Sequence, residues 1–134
     1  MKTLREQTLA NKIRTWVAKN GYPEKNYDMI AKVRQRGADI QVREKKSKNN
    51  LVLQIETKVD MLYTAIGEAF CYYYDKDRKV PTFVAVPSKH MRTRTWDPSY
   101  IVEVFDHFKV DIGVLVLDES GKIKPLRDPL HKFT

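Results

Sequence analysis

Two neighbouring segments alternate apolar and polar side chains, Gly37-Ala38-Asp39-Ile40-Gln41-Val42 and Leu51-Val52-Leu53-Gln54-Ile55-Glu56-Thr57-Lys58. Both have the period of a strand, and the short basic connection between them is typical of a hairpin. Successive side chains of a strand point to opposite faces, so Glu56 and Lys58 project from the same side. The pattern therefore predicts that two carboxylates and an ammonium group meet where the first strand begins and the second ends.

Composition limits the classes of protein to consider. A chain of 134 residues with 42% hydrophobic residues fits a single domain, residues 1–134, with a real core. Lys and Arg total 25 against 17 Asp and Glu, a net charge of +8. This excess favours a polyanionic partner such as nucleic acid, because each neutralised phosphate releases counterions. The alternative is a basic surface that only maintains solubility.

Cys71 is the only cysteine, so no intrachain disulfide can form and a reducing, cytoplasmic location is expected. It lies in the apolar and aromatic run 69–74, which predicts a small buried thiol. No segment approaches the ~20 apolar residues that span a bilayer, so we expect no membrane association.

The periodicity along the chain predicts an α/β fold with a mixed sheet flanked by helices, in the order α-β-β-β-α-β-α-β with a short final strand. The early strands are expected to be antiparallel, and the later helical crossovers to bring strands in parallel. In the third helix Phe108 is expected to face the core. The predicted elements are a helix Thr3–Asn20 ended by Gly21, strands Tyr27–Gln35, Ala38–Glu44 and Leu51–Lys58, a helix from Asp60 to about Tyr74, a strand Thr82–Val86, a helix from Asp97-Pro98 to about Phe108, and a strand Ile112–Leu117.

These residue types suit phosphodiester hydrolysis. Mg²⁺ prefers carboxylate and carbonyl oxygens, so Asp39 and Glu56 are candidate ligands and the carbonyl of Thr57 a third. Lys58 would hold or deprotonate the attacking water. Glu6 falls on the apolar stripe of the first helix and could bind a water on the metal or a second ion. Two alternatives stay open: a surface ion pair for the Glu-x-Lys pattern, and a helix-dipole role for Glu6.

The segments Gly37-Ala38-Asp39-Ile40, Leu53-Gln54-Ile55-Glu56-Thr57-Lys58 and Ala65–Tyr73 resemble the PD-(D/E)XK nuclease superfamily, with the closest likeness to small archaeal Holliday-junction resolvases and related restriction-type nucleases. By this resemblance Asp39 and Glu56 match the acidic ligands, Lys58 the motif lysine and Glu6 the acidic residue of the first helix. Ala38 stands where the motif has Pro, and Glu68 where a helix motif usually has Gln.

The resemblance implies a restriction-endonuclease-like fold and a Mg²⁺- or Mn²⁺-dependent DNA endonuclease acting on branched DNA, such as a Holliday junction. Cutting both strands would require two active sites, so a homodimer is expected. The alternatives are a restriction-type or single-strand-trimming nuclease, and a non-catalytic nucleic-acid-binding module of the same fold. For Glu68 an exposed helix residue is favoured, and an added carboxylate that modifies metal binding stays open as the alternative. Tyr72, Tyr73 and Tyr74 are interpreted as core and dimer packing rather than base stacking. Two basic clusters are predicted to contact the DNA backbone: Lys45, Lys46 and Lys48, and Lys89, Arg92 and Arg94.

Overall fold

The computed structural model describes residues 6–32, 38–46, 50–58, 62–74, 80–88 and 98–129. Within these residues the prediction of an α/β protein with a mixed sheet is confirmed. Three helices and six strands follow one another as α1 (Glu6–Lys19), β1 (Tyr27–Ala31), β2 (Ile40–Glu44), β3 (Leu51–Thr57), α2 (Leu62–Tyr74), β4 (Thr82–Pro87), α3 (Pro98–His107), β5 (Gly113–Leu117) and β6 (Ile123–Arg127).

The strands form one sheet in chain order, β1-β2-β3-β4-β5-β6. β1, β2 and β3 pair antiparallel, β3, β4 and β5 pair parallel, and β6 returns antiparallel to β5. A parallel pair needs a crossover, which α2 and α3 supply. Both crossovers advance in the same direction across the sheet, so the right-handed rule places both helices on the same face. The ends of β3, β4 and β5 therefore share one edge with the start of β2.

The two faces of the sheet carry separate apolar clusters. α1 covers one face, where its buried residues Leu9, Ile13 and Val17 pack on side chains from β2, β3, β4 and β5. α2 and α3 cover the other face over β4 and β5, through Ala69, Ile101 and Phe105 on Val84, Val86, Val114 and Val116. The same face becomes polar over β2 and β3. This polar half of the α2 face is where the candidate site lies.

The end of α1 follows the sequence prediction. Gly21 has a φ of 110°, a conformation that suits glycine, and the backbone N–H of Tyr22 returns to the carbonyl of Val17 at 3.3 Å. β1 ends at Ala31, so Lys32 is not part of the strand as predicted, and the rest of the predicted extension, residues 33–35, lies outside the described part. The predicted helix caps Asp60 and Asp97 also lie outside it.

Two predicted core positions are wrong. Cys71 is exposed, because it lies two positions from both Ala69 and Tyr73 and therefore on the opposite side of α2 from these buried residues. Phe108 is 70% exposed, because α3 ends at His107 and the chain turns through Lys109 at a φ of 53°. Because Phe108 follows the last helical residue, helical spacing does not predict the direction of its side chain.

None of the helices in the described residues is long and apolar enough to cross a membrane. The homodimer stays a prediction.

Candidate active site

Asp39 and Glu56 lie side by side at the shared edge of the sheet. Ile40 pairs with Ile55, so Asp39 stands next to Glu56 across the antiparallel β2–β3 pair, on the same face. The backbone N–H of Asp39 donates to Oε1 of Glu56 at 3.2 Å. In the other direction, the N–H and the hydroxyl of Thr57 donate to Oδ2 of Asp39 at 3.1 and 2.8 Å. Reciprocal hydrogen bonds therefore fix both carboxylates to the opposite strand.

Both carboxylates are buried, with Asp39 7% and Glu56 2% exposed. The polar face that the sequence predicts for these two residues is present. It is covered by α2 rather than open to solvent. Further along that face the amide of Gln54 donates to the hydroxyl of Thr82 at 3.0 Å. Burial of two carboxylates in an otherwise packed protein costs free energy, which indicates a purpose other than stability.

α2 contributes two more polar side chains, Glu68 and Tyr72, to the surroundings of Asp39 and Glu56. The ammonium of Lys58 lies 3.6 Å from Oε1 of Glu68, with 22% and 35% of the two side chains exposed. Glu68 also lies close enough to Glu56 for its charge to contribute to the raised pKa of that buried carboxyl. Tyr72 lies one helical turn after Glu68, on the same side of α2. The two strands and the helix thus bring three carboxylates, one ammonium and one phenol together.

The electrostatics of the cluster are set by its excess of negative charge. Burial, then the proximity of Glu68 and the charge of Asp39, raise the pKa of Glu56 from 4.5 to about 10. Burial and the charges of Glu56, Glu68 and Asp39 raise the pKa of Tyr72 to about 12. A carboxyl group with so high a pKa keeps its proton, so Glu56 is protonated at neutral pH when no cation is bound.

The donor chemistry fits a hard divalent cation. Lys58 donates its backbone N–H to the carbonyl of Ala85 on β4 at 3.1 Å, and the described peptide bonds are not cis. In a trans peptide the N–H and the preceding C=O point in opposite directions, so the carbonyl of Thr57 points away from β4, towards the Asp39 side. Two carboxylates and a carbonyl supply only oxygen ligands, as Mg²⁺ and Mn²⁺ prefer, and a cation there would take the place of the bound proton.

No three Asp, Glu, His or Cys side chains of the described residues are arranged as a ready metal cluster. A Mg²⁺ site does not need three, because this ion keeps several waters and uses one or two carboxylates. The set that fits it here is therefore Asp39, Glu56 and the carbonyl of Thr57.

The structure separates some predicted site residues from this cluster. Lys45 and Lys46 are exposed just beyond the opposite end of β2, six and seven residues, or about 20 Å, from Asp39. They line a groove of 330 Å³ with Lys25, Asn26, Tyr27 and Glu44. Glu6 begins α1, and its neighbour Gln7 donates to the carbonyl of Ala31 at 2.9 Å, near the edge of the sheet where Asp39 lies. The side chain of Glu6, and all of Lys48, Lys89, Arg92 and Arg94, lie outside the described part.

Sequence reasoning left two residues of the cluster out. It interpreted Glu68 as exposed and Tyr72 as packing, whereas the structure places both beside Glu56. The interpretation of Tyr73 as packing is confirmed, since Tyr73 is buried and its hydroxyl donates to Asp111; the side chain of Tyr74 is not described. The signal that could have found the pair is the spacing of four between Glu68 and Tyr72, which puts two polar side chains on one side of an otherwise apolar helix.

Comparison of the chain with protein-family models, with curated proteins and with solved structures finds no match.

Proposed function

We propose that this protein is a Mg²⁺- or Mn²⁺-dependent deoxyribonuclease that hydrolyses phosphodiester bonds at the Asp39–Glu56–Lys58 cluster. The observation that carries the proposal is the burial of two hydrogen-bonded carboxylates beside an ammonium at the sheet edge. A simple surface ion pair between Glu56 and Lys58 would require neither Asp39 beside it nor burial of the carboxylates. Perturbed carboxyl groups facing a lysine are typical of functional sites.

Each residue has a distinct role in this proposal. Asp39 and Glu56, with the carbonyl of Thr57, would hold the cation. Such a cation neutralises charge on the phosphate and makes a bound water more acidic. Lys58 lies where its ammonium can orient the attacking water or contact a phosphate oxygen. Tyr72 closes the site from α2 and limits access of bulk water to the carboxylates.

DNA as the substrate is supported by the net charge of +8 and by the distribution of lysines. Lys45 and Lys46 lie about 20 Å from Asp39, a length that corresponds to about six base pairs at 3.4 Å each. A substrate that reaches both places must be a polymer rather than a nucleotide. β4 and β5 end at the cluster edge, so the chain that leaves β4 at Ser88 towards Lys89, Arg92 and Arg94 starts beside the site.

A finer proposal concerns fold type and substrate geometry. The order of strands, with an antiparallel meander followed by two parallel crossovers, supports a restriction-endonuclease-like fold. Together with the resolvase-like motifs, it leads us to propose a cytoplasmic homodimer that cuts four-way junctions. In a dimer two sites at a fixed separation would select DNA with two backbones at a matching distance.

The deciding experiment uses radiolabelled four-way junction, linear duplex and single strand, each with Mg²⁺, Mn²⁺ or EDTA. We expect cleavage with either metal and none with EDTA. Asp39→Asn should lower the cleavage rate by at least ~10²-fold, the scale of losing one key electrostatic group. The exposed Glu103→Gln on α3 serves as the matched control and should cleave like the wild type. DNA binding without cleavage in any metal would instead favour the non-catalytic binding module.

The junction proposal has its own test. Binding to a junction and to a linear duplex of equal length is compared in EDTA at matched salt, because the ionic contribution to affinity is large. We expect tighter binding to the junction and, with metal, paired cuts on opposing strands near the branch point. Equal competition by linear duplex, with cleavage retained, would reject junction selectivity and leave a general nuclease.

A further inference from the structure

We infer that Glu68 is a positioning residue that holds the ammonium of Lys58 in place beside the Asp39–Glu56 pair. This inference rests on the proposed function. Its first observation is the ion pair between Glu68 and Lys58, with Nζ 3.6 Å from Oε1. Its second is the proximity of Glu68 to Glu56, whose pKa the charge of Glu68 helps to raise. Glu68 thus pairs with the lysine and lies near one of the carboxylates that the lysine must serve.

The packing of α2 gives Glu68 a fixed position. Ala69, the next residue, is fully buried against the sheet, and Tyr73 anchors the end of the helix through Asp111. The backbone that carries Glu68 is therefore held on the sheet. The backbone of Lys58 is held by Ala85 on β4. Both ends of the ion pair therefore lie on backbone that is tied to the sheet.

Lysine needs such a partner more than most side chains do. Its four-carbon stem has many rotamers, and an ammonium without a fixed contact samples them at a cost in catalytic geometry. A separation of 3.6 Å is longer than a tight charged hydrogen bond. Glu68 therefore restrains the direction of the ammonium while remaining compatible with a contact to a phosphate oxygen or to the attacking water.

The inference predicts a specific pattern of rates. Single-turnover cleavage is measured at saturating DNA for the wild type, Glu68→Ala, Glu68→Gln, Lys58→Ala and the double variant Lys58→Ala/Glu68→Ala. Glu68→Ala should slow cleavage about 10-fold, the scale seen for residues that orient a catalytic group, with the DNA dissociation constant unchanged within about 2-fold. Glu68→Gln should recover part of the rate, because its oxygen still accepts from Lys58. Cys71→Ser, exposed on the same helix, is the matched control.

The double variant decides how Glu68 acts. If Glu68 acts through Lys58, the double variant cleaves as slowly as Lys58→Ala alone, because the effects of coupled residues do not add. A further loss in the double variant would show that Glu68 acts through Glu56 or through the fold, and would overturn the inference. A faster Glu68→Ala variant would also overturn it, since Glu68 would then restrain Lys58 in an unproductive position.

A second measurement needs no cleavage and separates this inference from the proposed function. Acetylation of Lys58 by an amine-reactive reagent is followed by mass spectrometry in EDTA, with the exposed Lys122 as internal reference. Loss of the ion pair in Glu68→Ala should raise the relative rate at Lys58 about 3-fold, the scale of one partly exposed ion pair. An unchanged rate would reject the contact. Absence of cleavage by the wild type, with faster acetylation in the variant, would reject the nuclease and keep the contact.

Discussion

Replacing Glu56 by Gln should make the metal-free protein more stable at neutral pH while it disables the site. Glu56 is 2% exposed, and burial raises its pKa well above its ordinary value. The folded state therefore binds a proton that the unfolded chain releases above pH 4.5. Where the folded state binds more protons, stability falls as pH rises. Gln has the same shape, carries no charge and can donate to the neighbouring carboxylates.

The magnitude follows from the pH interval. Each pH unit between the unfolded and folded pKa costs about 1.4 kcal/mol, so the three units from pH 4.5 to 7.5 set an upper limit of about 4 kcal/mol. Relaxation of the neighbouring side chains and entry of water reduce this cost, because the effective dielectric of proteins exceeds that of a dry interior. We expect Glu56→Gln to gain about 2 kcal/mol at pH 7.5 and almost nothing at pH 4.5.

The assay is urea unfolding in EDTA at intervals from pH 4.5 to 8.5, comparing the wild type, Glu56→Gln and the exposed control Glu103→Gln. Carboxyl groups remote from Glu56 cancel in this comparison, so the difference reports the buried cluster around Glu56. Saturating Mg²⁺ should stabilise the wild type, because the ion takes the place of the proton, and should close the gap to Glu56→Gln. Parallel pH profiles for the wild type and Glu56→Gln would refute the reasoning, since Glu56 would then ionise freely in the folded state.

Two further predictions concern the ammonium of the site and the packing of the sheet on the face that α1 covers. Lys58→Ala should abolish most turnover at saturating DNA while binding measured by anisotropy in EDTA persists, because other cations contact the backbone; an unchanged single-turnover rate would favour a simple ion pair. Gly113→Ala should lower the free energy of unfolding in urea by at least about 1–3 kcal/mol, because the added methyl would overlap the ring of Phe83 and lie 2.8 Å from the carbonyl oxygen of Arg127. The matched Gly67→Ala, whose methyl meets nothing within 4 Å, should instead be neutral or stabilising, and equal effects of the two would reject the packing argument.

Local patterns in the sequence determined the helices and strands and placed one pair of site residues, Glu56 and Lys58, on the same side. Alternation along residues 38–44 and 51–58 predicted both strands, and the period of two placed Glu56 and Lys58 on one side. The prediction that Asp39 lies near Glu56 needed only the hairpin, because register within a hairpin is a local property. The order of crossovers followed from the alternation of strands and helices. These features depend on the chain within about 20 residues, which is why periodicity reaches them.

The tertiary structure decided how deeply the carboxylates are buried and which residues surround them. Glu68 reaches Lys58 only because α2 packs on the sheet through Ala69, a contact between elements that no periodicity specifies. The same packing buries the carboxylates, and burial is the largest cause of the raised pKa of Glu56. Strand length, rather than charge pattern, places Lys45 and Lys46 about 20 Å from Asp39. Side-chain types and their spacing are properties of the sequence, whereas burial and electrostatic coupling arise only when separate elements come together.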